Sequence, residues 1–375
     1  MPDSLTIAKK SAGRRSFLKT GLATGVAGAG AAVLANTKLF SQTSSTGSIT
    51  KGDAALLRFA AAAEILEADF WIQYNELGGI QDSEVPGGSG NPAYTAKLEL
   101  LDEDFSQYIH DNTDDEITHN TFLNAYLESK GEAPANLDQF RTLPGSTATG
   151  SSGIPRLTNL TQLTLDTSWY TRYRDDSHNP DLDPNHVFPQ AVPGLHKGQF
   201  TAIPRTDDDL TPDAHLQAIA NTAAFHMPTI EQGGNSLYPS MAQRASSVEV
   251  LRILISIGPT ETMHFQTWSD IAGAAVDDPI APLTDPTNGL TFPNLNDPPF
   301  GGELFTTNLI MPEPCPFLSR KLPRCSVIRP TNTKNAAQSV VRFLTDMGLF
   351  IGQPQAFHQT LHQLAAAADA AQRGM

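Results

Sequence analysis

Apolar and helix-favouring residues recur at three- and four-residue spacing in several long stretches, separated by segments rich in Pro, Gly, Asn and Asp. The first stretch, GDAALLRFAAAAEILEADFWIQYNELGG from residue 52, is Ala-rich and ends at Gly78-Gly79, which predicts one strong helix. Leu56, Phe59, Ala63, Leu66 and Phe70 make its core stripe. Leu57, Ala60, Glu64, Glu67 and Trp71 lie on a neighbouring strip, so two carboxylates sit beside apolar surface. After the turn VPGGSGNP, residues 93–131 predict a second long helix. Residues 131–210 lack clear periodicity and read as a long connection, with a strand or short helix around LTNLTQLTLDTSWY.

Helical patterning returns at TPDAHLQAIANTAAFHM, is expected to break at Pro228, and resumes through TIEQGGNSLYPSMAQRA. Ser246-Ser247 offers an N-cap for VEVLRILISIGPTETMHFQTWSDIAGAA, with a kink expected at Gly258-Pro259. Residues 276–335 form a second irregular region, and AAQSVVRFLTDMGLFIG and QAFHQTLHQLAAAADAAQ close the chain as one or two helices.

Two of the long helices carry the same chemistry at the same spacing. Glu116 precedes His119 by three residues, and Glu261 precedes His264 by three. On a helix that spacing puts a carboxylate and an imidazole on one face, within reach of one atom beside it. With 14 Glu and 10 His in the chain, chance gives fewer than one such pair. Glu64 and Glu116 straddle the turn near residue 90, and Glu231 and Glu261 straddle the turn near 246. Each half is then an antiparallel hairpin with its acids at matched height, and four carboxylates and two imidazoles meet at one level of a four-helix bundle.

This arrangement resembles the ferritin-like superfamily of di-metal carboxylate proteins, in which two helices give one Glu each and two give Glu-x-x-His. The segments AAAEILEADFW and TIEQGGNSLYPS resemble, more narrowly, the exported bacterial ferritin-like domain proteins related to plant desiccation-related proteins. The resemblance covers about residues 52–130 and 211–273. It implies an all-α fold, a ferritin-like four-helix bundle over residues 52–273 with a long crossover at 131–210, long irregular insertions, and C-terminal helices within 274–375. It also implies two iron or manganese ions held by Glu64, Glu116, His119, Glu231, Glu261 and His264. Glu64 is preferred to Glu67 because the first Glu of the pair takes that role in the pattern, and Pro228 with Gly233-Gly234 makes Glu231 the least secure. Phe70, Trp71, Phe122 and Phe265 are expected to wall the centre. The implied chemistry is oxidation of reduced metal by a small-molecule oxidant, dioxygen or peroxide. The alternative is a non-catalytic exported protein acting in stress protection or interaction, with 131–210 and 276–335 as its working surface. Homo-oligomer formation stays open, and the insertions argue against a ferritin storage cage.

Composition narrows the setting. Lys9, Lys10 and GRRSFLK, then a run of small residues to Ala35, predict a twin-arginine signal over residues 1–35, followed by a linker at 36–51 and a periplasmic destination. That route exports proteins already folded, often with a cofactor inserted, and cleavage would leave no membrane segment. Without residues 1–35 the chain has 20 basic and 39 acidic residues, a net charge of −19, which argues against nucleic acid or anionic membrane as partner. Cys315 and Cys325, in PEPCPFLSRKLPRC, are expected to form a disulfide, and their number and spacing exclude a cysteine metal site. His110 and His226 are expected to be ordinary helix or loop residues rather than extra ligands, and His358 and His362, at i and i+4 on a helix, could bind a surface metal but lack an acid nearby in sequence. No nucleophile elbow, zinc-protease motif or phosphate loop is present.

Overall fold

Thr50 caps the first helix, α1 (Lys51–Gly78), by accepting the Asp53 N–H, and the chain leaves the helix at Gly79. The predicted second helix is divided into α2 (Pro92–Glu99) and α3 (Phe105–Ser129). Asp102 makes the break, its Oδ1 accepting the Asp104 N–H at 2.9 Å in a local turn that competes with helix. α4 (Ser168–Arg172) is a short helix in the crossover, followed by α5 (Asp213–Ala242) and α6 (Val248–Ala274). α7 (Ala336–Asp346) and α8 (Gln355–Ala370) end the chain as two helices. The computed structural model describes residues 47–175, 178, 185–297, 311–314, 321, 323–327 and 334–373. The expected signal segment and the Cys315–Cys325 bond lie outside the described residues. No described helix is long and apolar enough to cross a membrane.

α1 pairs with α3, and α5 with α6, as two antiparallel hairpins. Among the described residues strand content is small: β1 (Leu283–Thr284) pairs antiparallel with β2 (Thr291–Phe292), and β3 (Met311–Pro314) with β4 (Arg324–Val327). α5 is the central helix, buried on every side from His215 to Glu231. The expected break at Pro228 does not occur, and α6 likewise runs unbroken through Gly258-Pro259. A proline removes one backbone hydrogen bond, but packing on all sides holds α5 in place, including Trp169 of the crossover, whose Nε1 donates to Thr229 Oγ1 at 2.9 Å. Ser247 caps α6, accepting from the backbone of Glu249 and Val250. Asp53 secures that turn by accepting the Ser246 and Ser247 N–H groups at 2.8 and 3.0 Å.

The crossover is irregular but clamped to α1 by two buried acids seven residues apart on one helix face. Asp69 accepts the N–H groups of Leu157 and Thr158, both at 2.9 Å, and the Thr158 hydroxyl at 2.7 Å, and pairs with Arg141. Glu76 pairs with Arg156, both almost wholly buried, and accepts from Ser151 Oγ at 3.1 Å and the Ser152 N–H at 3.2 Å. These contacts hold residues 141–158 against the bundle without using any residue of the Glu/His pairs.

Candidate metal centre

The bundle brings all six sequence-predicted residues to one level. Glu64 comes from α1, Glu116 and His119 from α3, Glu231 from α5, and Glu261 and His264 from α6. Their ligand atoms fall into two clusters, Glu64/Glu116/His119/Glu261 and Glu116/Glu231/Glu261/His264, each with its atoms within 4.8 Å of one another. Glu116 and Glu261 belong to both clusters, so the arrangement is two adjoining positions with two shared carboxylates, one terminal carboxylate each and one imidazole each.

Both imidazoles face the carboxylates through Nδ1. His119 Nδ1 lies 3.3 Å from Glu64 Oε2, 3.2 Å from Glu116 Oε2 and 3.6 Å from Glu261 Oε1. His264 Nδ1 lies 3.2 Å from Glu116 Oε1 and 3.3 Å from Glu231 Oε2. Asp115 holds the far nitrogen of His264, Nε2, at 3.0 Å, which orients the ring as carboxylates do behind metal-bound histidines.

Each terminal carboxylate has one oxygen held and one left over. Tyr238 donates its hydroxyl to Glu64 Oε1, and Trp71 Nε1 donates to Glu231 Oε1 at 3.1 Å. Asn112 Nδ2 donates to the same Glu231 oxygen at 3.2 Å and to Glu116 Oε1 at 3.0 Å. The Asn112 amide is set by Trp268, a pure donor, whose Nε1 reaches Asn112 Oδ1 at 2.7 Å. Glu64 Oε2, Glu231 Oε2 and both oxygens of Glu261 are buried and accept no hydrogen bond. Buried carboxylate oxygens without donors are costly. Four of them on three carboxylates, gathered with two imidazoles in adjoining clusters, fit cations, and an oxygen-rich set without thiolate suits iron or manganese.

The charge distribution agrees. Burial, followed by the repulsion of Glu116, pushes the Glu64 carboxyl up to about 8. Burial and neighbouring carboxylates hold Glu261 well above the usual range, and burial raises Glu231. Glu116 is the exception: burial opposes ionisation there, but hydrogen bonds from His119 and His264 outweigh it and hold the carboxyl low. The acids in turn overcome burial at His119, raising it to about 10, and hold His264 high. Without a cation the cluster therefore retains protons.

Two glycines let the helices close on this centre. A Cβ on Gly258 would stand 2.8 Å from Cβ of Tyr238, so the bare backbone of α6 admits the tyrosine that reaches Glu64. A Cβ on Gly234 would stand 2.4 Å from Glu261 Oε2, whereas one on Gly233 would meet nothing within 4 Å. Gly234→Ala is thus expected to fold, because the end of a flexible side chain can yield, but to displace a shared carboxylate. Titration with ferrous iron or manganese should show at least tenfold weaker binding, with Gly233→Ala as the control that keeps parental affinity. Equal affinity in both variants would refute the close approach.

Two expectations about the centre need correction. Phe70, Trp71 and Phe265 are buried walls, but Phe122 is 51 % exposed, on the outer face of α3. The wall it was expected to supply comes instead from Trp268, whose ring centroid is 5.2 Å from that of Trp71. The irregularity expected at Glu231 is absent, since α5 is continuous there. Glu67 stays out of both clusters although burial and Glu64 push its carboxyl up. His110 contacts Asp82 at 3.1 Å and His226 pairs with Tyr74 at 2.7 Å, and neither joins the six. His362 binds Gln338 rather than an acid, Nδ1 to Oε1 at 2.8 Å. Asn112, Asp115, Tyr238 and Trp268 were not anticipated. Asn112 and Asp115 had one signal, being polar residues four and one before Glu116 in a helix that must pack.

No curated protein and no solved structure matches this chain. The family comparison matches residues 52–274, more than half of its length and the whole of the four-helix unit that carries the two clusters, to the ferritin-like domain. With that match, and with the Glu and Glu-x-x-His residues of four helices gathered at one level, the chain belongs to the ferritin-like domain family.

Proposed function

We propose that the protein is an exported di-metal carboxylate protein that binds two iron or manganese ions and reacts them with dioxygen or peroxide. The observation that carries this reading is the pair of clusters sharing Glu116 and Glu261, with four buried oxygens that accept no hydrogen bond. Glu64 and His119 would hold one ion, Glu231 and His264 the other, and Glu116 and Glu261 both. The bound pair would supply electrons one or two at a time to a small oxidant. Tyr238, Trp71 and Asn112 keep the terminal carboxylates turned inward, and Asp115 keeps the His264 ring in place. Trp71, Trp268 and Phe265 exclude bulk water from the centre. The GRRSFLK segment and the small-residue run after it support export by the twin-arginine route, which carries proteins already folded and often with a cofactor inserted. A role in desiccation or related stress rests on the likeness of AAAEILEADFW and TIEQGGNSLYPS to the desiccation-related group.

Elemental analysis of protein purified without chelator, beside a Glu116→Ala/His264→Ala variant, tests this reading. About two iron or manganese per chain in the parent, lost in the variant, with oxygen or peroxide consumed on adding ferrous iron, is the expected result. A parent that folds yet takes up neither metal would overturn it and leave the non-catalytic stress or interaction role.

A further inference from the structure

We propose that Asp175, His178 and His186 form a second cation site, of the zinc class, carried by the crossover. The three offer two imidazole nitrogens and one carboxylate oxygen within 4.8 Å of one another, and none of them contributes to the two clusters in the bundle. The rings of His178 and His186 lie face to face, centroids 3.6 Å apart and planes within 9°. Phe188 supports the stack edge-on at 4.7 Å from His186.

Asp175 is positioned by its contact with the backbone of His178. Its Oδ1 accepts the backbone N–H of His178 at 3.0 Å, which presents Oδ2 to both rings. Oδ2 lies 2.9 Å from His178 Nδ1 but 3.8 Å from His186 Nε2, too far for a hydrogen bond. Two ligands on one tetrahedral metal, each about 2.0–2.1 Å from it, stand about 3.3 Å apart. The two carboxylate–imidazole separations bracket that value, and because an ion lies in the plane of each imidazole that binds it, one ring must turn out of the stack for all three atoms to share one ion.

The donor set also separates this site chemically from the bundle centre. Two imidazoles and one carboxylate match the three-ligand zinc sites that keep a further position open, and all three residues here are half-buried, which leaves that position accessible to water. For nitrogen-rich sets the order of divalent affinities favours zinc, nickel and copper over iron and manganese, whereas the bundle centre has four carboxylates for two imidazoles. Arg174 donates to the Ser269 carbonyl at 3.4 Å, so the crossover site sits by the last turns of α6, beyond the turn that carries His264.

Zinc ion alone is the probe, added to metal-free full-length protein and measured by competition with a chromophoric chelator. A Glu116→Ala/Glu261→Ala variant, which lacks the shared carboxylates, is expected to bind one zinc per chain. Adding His178→Ala and His186→Ala should abolish that equivalent. In the otherwise natural chain the two histidine substitutions should remove one zinc equivalent while iron or manganese binding at the bundle centre persists, a comparison that decides the matter if the glutamate variant does not fold. Zinc content unchanged by the histidine substitutions, or no zinc bound by a folded glutamate variant, would overturn the proposal.

Discussion

Glu261→Ala is expected to abolish binding of both bundle metals, whereas Glu231→Ala should abolish binding of only one. Glu261 lies in both clusters and neither of its oxygens accepts a hydrogen bond, so one side chain serves two positions. Glu231 lies in one cluster, and its Oε1 is already taken by Trp71 and Asn112. Glu261→Ala is expected to fold, because a buried polar group without a partner costs about 1–3 kcal/mol and its removal relieves that cost. Circular dichroism should therefore find metal-free Glu261→Ala folded, and elemental analysis after loading should give about zero, one and two equivalents for Glu261→Ala, Glu231→Ala and the parent. Two equivalents retained by Glu261→Ala would disprove the shared-ligand arrangement.

The same centre fixes a pH dependence. Metal-free, the Glu64 carboxyl is raised to about 8 and His119 to about 10, so both carry protons at pH 7. A cation must displace those protons. Apparent affinity should then rise with pH between about 6 and 8, by about tenfold per unit for each proton released. Loading in weakly buffered solution should acidify it.

Arg156→Ala has the largest expected effect on stability, a loss of about 3–5 kcal/mol. Its guanidinium and the Glu76 carboxylate are both almost fully buried, at 2 % and 0 % exposure, so the deletion leaves an uncompensated charge inside the protein. The Ser151 and Ser152 donors that remain on Glu76 cannot neutralise it. Arg141→Ala, at the other clamp, is expected to cost less, about 1–3 kcal/mol, since Arg141 is 30 % exposed and water can take its place beside the buried Asp69, which keeps two backbone N–H donors and the Thr158 hydroxyl. Urea midpoints of the two variants measure the difference directly. An Arg156→Ala protein within about 1 kcal/mol of its parent would show that the crossover is held by packing rather than by this pair.

Legibility from sequence followed the range of the interactions. The Ala-rich run ending at Gly78-Gly79 is local and gave α1 nearly to its ends; Ser247 as the cap of α6 is local in the same way. The i, i+3 spacing of Glu116/His119 and Glu261/His264 is a property of one helix, and the matched distances from the two turns set the level at which the hairpins meet. Pro228 misled because its cost is also local, whereas α5 stays continuous through it under burial among α1, α6 and the crossover. Phe122 misled because an aromatic in a helix reads as core until the neighbouring helices are placed, and it faces outward.

By itself, then, the chain's one-dimensional pattern determined where the four long helices lie, their pairing into two hairpins and the six residues that could face one another, but not the division at Asp102 or the continuity at Pro228, since period, caps and turns act within a few residues. Tertiary structure alone decided that Glu116 and Glu261 are the shared pair and that Tyr238, Trp71 and Asn112 turn the terminal carboxylates inward. It also decided that Asp69 and Glu76 clamp the crossover, and that His178 and His186, eight residues apart, stack beside Asp175. Each of these depends on which atoms of distant residues come within about 3 Å of one another, the range over which hydrogen bonds and metal ligation act.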